Sequence, residues 1–103
     1  MTMDITKSKT GVSIRLTAER WLHIVENHED LAGYYDIVLN AIEEPDYIIK
    51  GYKEALIALN EIEKGKFLAG VYKEITKEDG FIITSYFTSK IKPEKEAIVW
   101  RKK

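Results

Sequence analysis

From Val12 to Leu16 (Val-Ser-Ile-Arg-Leu) apolar and polar residues alternate, which predicts a short strand. Thr17 then stands where a helix N-cap is expected, with Ala18, Trp21, Leu22 and Val25 at helical spacing behind it. This first helix should end near His28. A second should begin around Asp30, with Leu31, Tyr34 or Tyr35, Val38, Leu39 and Ile42 on one stripe. Pro45 should stop it, because proline disfavours helical geometry in the residue before it.

After Asp46 the pattern changes to runs of strand length. The candidates are Tyr47 to Lys50, Ala55 to Ile62, Lys66 to Glu74 and Phe81 to Thr88, with a last short one from Ala97 to Trp100. Their connections, such as Glu63-Lys64-Gly65, are short, polar and glycine-bearing, as in antiparallel meanders. They are too short for crossover helices, so a parallel doubly wound sheet is excluded. The fold expected is α+β: two N-terminal helices packed on one face of a mostly antiparallel four- to five-stranded sheet. The opposite face should be at least partly open.

Length and composition set limits on this picture. With 103 residues, 45% hydrophobic and 32% charged, the chain suits one globular domain, with residues 1–11 flexible and the folded core in 12–100. There is no cysteine, which excludes disulfides, thiol chemistry and cysteine-based zinc sites. No apolar run approaches the ~20 residues of a membrane span, so no membrane partner is expected. Met1 to Lys9 has no apolar core of the signal-peptide kind, and a cytoplasmic location is the default expectation. The net charge of −1 hides an asymmetry: from Ser89 onward six basic residues face two acidic ones, leaving −5 on the rest. That basic end suits either a polyanion-binding patch or a solvated tail.

Two histidines carry most of the candidate proton chemistry. His28 falls at the margin of the first helix's buried stripe and in its last turn, where the helix dipole favours an imidazolium. His23 falls on the polar side, beside Glu19 and Asn27, and the pair shares no face. The zinc-protease spacing is absent, and neither a metal nor another cofactor is expected. In the late strand, Phe81, Ile83, Ser85 and Phe87 should face the helices, while Ile82, Thr84, Tyr86 and Thr88 face away. Tyr72, at even steps from Leu68 and Gly70, is a candidate to join that hydroxyl row. Such a row, with Lys90 and Lys92 beyond it, suits a phosphate and a stacked base; β-propensity alone would also place threonine and tyrosine there. Arg15 offers a permanent cation for a transition-state phosphate, or simply a surface ion pair.

The run Ile14-Arg15-Leu16-Thr17-Ala18-Glu19-Arg20-Trp21-Leu22-His23-Ile24, followed by Asn27-His28-Glu29, resembles the opening of the phage Barnase–EndoU–colicin–RelE-like nucleases. Ile42 to Asp46 is similar to that family's Ile-x-x-Pro-Asp turn, and Phe81 to Thr88 to its late strand. Glu29 departs from it, since many members carry proline there. The resemblance implies a metal-independent RNase, toxin-like or phage-derived, that cleaves by attack of a ribose 2′-hydroxyl on the adjacent phosphate. It implies His28 as acid or base, with His23 as second choice, Arg15 and Thr84 at the phosphate, and Tyr72, Tyr86, Thr88, Lys90 and Lys92 along the RNA. RNA, and an antitoxin or inhibitor protein, are the partners expected. The alternatives are a non-catalytic RNA- or protein-binding module of the same fold, and an adaptor acting through protein contacts.

Overall fold

The computed structural model describes residues 3–103. The element order is β1 (Met3–Lys7), β2 (Ser13–Thr17), α1 (Ala18–Asn27), α2 (Tyr35–Glu43), β3 (Tyr47–Lys50), β4 (Leu56–Glu63), β5 (Lys66–Glu74), β6 (Asp79–Thr88) and β7 (Ile98–Arg101). Three short 3₁₀ turns, at Glu29–Leu31, Tyr52–Glu54 and Pro93–Lys95, punctuate the connections.

This corrects the expected architecture in three respects. The sheet has seven strands, in the order β1-β2-β6-β5-β4-β3-β7. It is mixed, because β2 runs parallel to β6, with Ile14 opposite Gly80 and Arg15 opposite Phe81. The first helix follows two strands, so the helices sit mid-chain. The α+β class stands, but the count, order and sheet type do not. Residues 3 to 7 of the segment expected to be flexible form β1, paired antiparallel to β2; residues 1 and 2 lie outside the described residues. β1 lies at the sheet edge with only Ile5 and Met3 as apolar side chains, both pointing outward, so it has no inward hydrophobic signature.

Both helices cover one face, the inner one. Ile14, Leu16, Ala58, Leu68, Tyr72 and Ile82 of the sheet meet Ile24, Leu31, Val38, Ala41 and Ile42 from the helical layer. Each large side chain buried there stabilises the fold by about 1.5–3 kcal/mol. In α1 the stripe is rotated from the expected one: Leu22 is 60% exposed and Ile24 is 1% exposed. The helix packs Ile24 into the inner core, and its Trp21 meets the Tyr35 ring of α2 edge-on at 5.2 Å. α2 begins at Tyr35 and not near Asp30: Leu31, expected on its stripe, is buried from the separate 3₁₀ turn Glu29–Leu31, while Val38 and Ile42 are fully buried as expected. Gly70 lets α2 approach, since a Cβ there would lie 2.9 Å from the Ile42 Cδ1.

The outer face carries its own cluster at the β3–β5 end. Ile49, Leu59, Phe67 and Ala69 form it, roofed by Ile91 from the segment after β6. β6 itself is bulged: Val71 pairs with Thr84 and Tyr72 with Ile82, leaving Ile83 as the extra residue. The bulge reverses the strand before it: Ile82 turns inward, where unbroken alternation places it outward with Thr84, and Phe81 turns outward, where alternation places it against the helices. Ser85 opposes Gly70 and Phe87 opposes Leu68 on the inner face, as expected; Thr84, Tyr86 and Thr88 keep to the outer one.

Candidate functional site

The site is made where β2 gives way to a helix. Thr17 is extended (φ −84°, ψ 155°), and its hydroxyl accepts a hydrogen bond from the Arg20 N–H at 3.0 Å, capping α1. β2 pairs with β6 only as far as Phe81, so the later half of β6 has no strand on that side. Along this stretch α1 takes the place of a strand, and Arg20 Nη1 makes a long contact, 3.4 Å, to the Ile83 carbonyl at the bulge.

Between α1 and β6 lies a groove of about 380 Å³, lined by Arg20, His23, Asn27, His28 and Thr84, with Ile24 and Ile83 beneath. The His28 ring centroid is 6.0 Å from that of Tyr86, with the planes tilted by 38°. The helix wheel had separated the two histidines, yet both line this groove. The wheel stops applying at His28, which closes the helix with non-helical backbone (φ −139°, ψ 76°) and an N–H bonded to the Ile24 carbonyl at 2.8 Å. Leaving the helical path swings its ring back toward the strand. His23 is exposed and His28 half-buried. The Asn27 side-chain amide donates to the His23 carbonyl at 2.9 Å, tying the two turns together.

Tyr86 is half-buried, and burial pushes its phenol pKa up, so it remains a hydrogen-bond donor at neutral pH. Thr84 sits at the bulge and faces the groove. Among the described residues no three histidine, aspartate or glutamate side chains gather as a metal-binding group.

Other candidates fall elsewhere. Arg15 is ion-paired with Asp79 and lies over the Phe81 ring, in a neighbouring hollow. Tyr72 is 1% exposed in the inner core, on the face opposite to the hydroxyl row, together with Leu68. Thr88 opposes Phe67, and its hydroxyl accepts from the Lys90 N–H at 3.1 Å; Lys90 and Lys92 are exposed past the end of β6 and line no part of the groove. The basic C-terminus meets acids: Arg101, Lys102 and Lys103 share an open hollow of about 870 Å³ with Asp46, Glu61, Glu63 and Glu94, and Lys102 Nζ is 4.0 Å from Asp46.

Arg20 was not singled out as a site residue by sequence reasoning. It borders the groove and two adjoining hollows, and it has no carboxylate within ion-pair distance among the described residues. Its proximity to Thr17 and its place one turn before His23 are the signals that point to it. Among the described residues no helix is long and apolar enough to cross a membrane. Comparison with protein-family models, with curated proteins and with solved structures finds no match for this chain.

Proposed function

We propose that the chain is an endoribonuclease of the cytoplasm, using its own side chains to transfer protons, and that the groove between α1 and β6 is its active site. The observation that carries this reading is the convergence of His28, His23, Arg20 and Thr84 on one groove, with Tyr86 against the His28 ring. Two imidazoles can divide the work of a base and an acid near neutral pH. The similarity of the opening segment to phage-type nucleases supports the same reading.

In this mechanism one histidine removes the proton from a ribose 2′-hydroxyl. The 2′-oxygen forms a bond to the adjacent phosphorus while the bond to the 5′-oxygen breaks, and the other histidine delivers a proton to that leaving oxygen. The products are a 2′,3′-cyclic phosphate and a free 5′-hydroxyl. His28, half-buried against Tyr86, is held in place better than His23 and is assigned first. Thr84 and the Tyr86 hydroxyl hold non-bridging oxygens, and the Arg20 guanidinium meets the growing negative charge. Arg15, neutralised by Asp79, is moved out of that role.

A second reading keeps the fold and the RNA but not the turnover. It is favoured by His23, whose exposed ring has no side-chain partner to orient it among the described residues. Incubation of the purified protein with tRNA and total RNA in EDTA separates the two. Defined fragments ending in cyclic phosphate, lost in His28→Ala, support the enzyme. A gel shift without fragments supports the binder.

A further inference from the structure

A second hollow lies beside the groove, and Arg20 lines both. That hollow has a volume of about 260 Å³ and is lined by Arg15, Thr17, Arg20, Phe81 and Ile82. Strand register explains what lies around it. Ile5 of β1 opposes Arg15 of β2, Arg15 opposes Phe81 of β6, and Phe81 opposes Lys73 of β5. Directly opposed residues share a face, so these four form a row across four strands.

The row is apolar and cationic by turns, and it is open. Ile5 is 55% exposed, and the Arg15 side chain is 38% exposed. The Arg15 guanidinium lies over the Phe81 ring, 5.9 Å from its centroid, and the ion pair with Asp79 holds it there. The roof that Ile91 provides to the outer face lies over β3, β4 and the start of β5, at the far side of the sheet. Arg20 borders both the hollow and the groove, so a strand passing from one to the other passes its guanidinium.

We propose that this row is a platform for an unpaired stretch of RNA, with one base packed against the exposed side of the Phe81–Arg15 pair and the neighbouring phosphate passing Arg20 into the groove. Arg15, Arg20 and Lys73 bring three cations to this surface, with Asp79 paired to Arg15 and Glu19 beside Arg20, an excess of positive charge that suits a polyanion. A half-exposed phenylalanine flanked by a guanidinium suits the face of a base, which single strands offer and duplexes keep stacked inside. The hollow has room for one planar heterocycle. What happens to the strand in the groove rests on the endoribonuclease reading; the platform is a statement about binding and stands on its own chemistry.

The test is fluorescence anisotropy with a labelled, 2′-O-methylated single strand of uridines and adenosines, which binds but cannot be cut by 2′-hydroxyl attack. Phe81→Ala should weaken binding by about tenfold, the size of one lost base stack. Phe81→Trp should keep the affinity, and the complementary duplex should bind less tightly than the single strand. Equal affinity of wild type and Phe81→Ala, or a duplex bound as tightly as the single strand, would overturn the platform. So would a wild-type protein that binds neither. Cleavage of an unmodified strand is followed in parallel. His28-dependent cleavage with Phe81→Ala unaltered in binding sinks the platform and leaves the nuclease, whereas Phe81-dependent binding without cleavage does the reverse.

Discussion

His28 ends the first helix with its imidazole centroid 6.0 Å from the Tyr86 ring on β6, so a helix terminus that lines the groove is braced against a mid-strand side chain. The contact depends on two local events. Thr17 caps α1 where β2 leaves β6, and the Ile83 bulge keeps Thr84 and Tyr86 on the outer side while Ile82 turns inward.

Removing the imidazole should therefore abolish turnover with little structural cost. His28→Ala should lower RNA cleavage by about 100-fold or more, the range of a lost general acid or base. The side chain is half-buried at a helix end, so the thermal midpoint should stay within a few degrees of wild type. Tyr86→Phe should keep the ring contact and reduce cleavage less. A fully active His28→Ala protein would remove His28 from the mechanism.

Alkaline pH should weaken the fold, and Tyr35 gives the sign. Its hydroxyl donates to Asp4 Oδ2 at 2.8 Å. Burial first, then the hydrogen bond and charge of Asp4, raise its pKa from 10.0 to about 12. The folded chain thus keeps a proton that the unfolded chain gives up. The stabilisation is complete below pH 10 and is lost as pH rises toward 12. Tyr72 and Tyr86, both raised by burial, act in the same direction. Urea midpoints should be level up to about pH 9 and fall above it. Tyr35→Phe should make that fall shallower; an identical slope in wild type and variant would show that Tyr35 is not responsible.

The local elements of this arrangement were legible in the amino-acid pattern, its sheet architecture was not, and the misses have identifiable causes. The Thr17 cap, the end of α1 near His28 and the burial of Val38 and Ile42 in α2 are local features, set by residues within one or two turns of each other; the break at Ala32–Tyr34 that delays α2 was not legible. Strands β3 and β5 were readable with the bounds observed. What escaped depends on distant partners. Alternation in β6 was read as unbroken, because a bulge at Ile83 is visible only from its pairing with Val71 and Tyr72. The parallel neighbour of β6 is β2, and nothing in the short later connections bears on which earlier strand lies beside it. β1 was missed because its one buried residue is Thr6, whose hydroxyl donates to the Leu39 carbonyl; the apolar Met3 and Ile5 face solvent.

The two arginines show the same limit within the site. Arg15 and Arg20 are equally plausible cations in one dimension. Asp79, brought beside Arg15 by the β2–β6 pairing, neutralises one of them, while the other stays open to the groove.

Gly80 should tolerate no side chain. It pairs with Ile14 in the parallel ladder, and a Cβ there would come 2.3 Å from the Lys73 carbonyl oxygen and 2.7 Å from the Ile14 Cδ1. The first of these is backbone of the adjacent strand and cannot swing away. Gly80→Ala should therefore destabilise the chain by about 1–3 kcal/mol or more, measured by urea unfolding. The change also loosens the β2–β6 pairing that positions α1, so activity should fall with stability. A variant as stable as wild type would show that the two strands can separate without cost.

Asp79→Asn separates the ionic role of Arg15 from its structural one. The pair is half-exposed, so its loss should change stability by only about 0–1 kcal/mol. The guanidinium, no longer neutralised, should then meet a phosphate of a bound single strand. Affinity for 2′-O-methylated RNA should rise at low salt. The slope of log affinity against log salt should steepen by about 0.7, the contribution of one added phosphate contact on a single strand. An unchanged slope would show that the strand does not pass Arg15. A steeper slope that persists in Phe81→Ala would assign Arg15 to the backbone and leave Phe81 as the sole contact to a base.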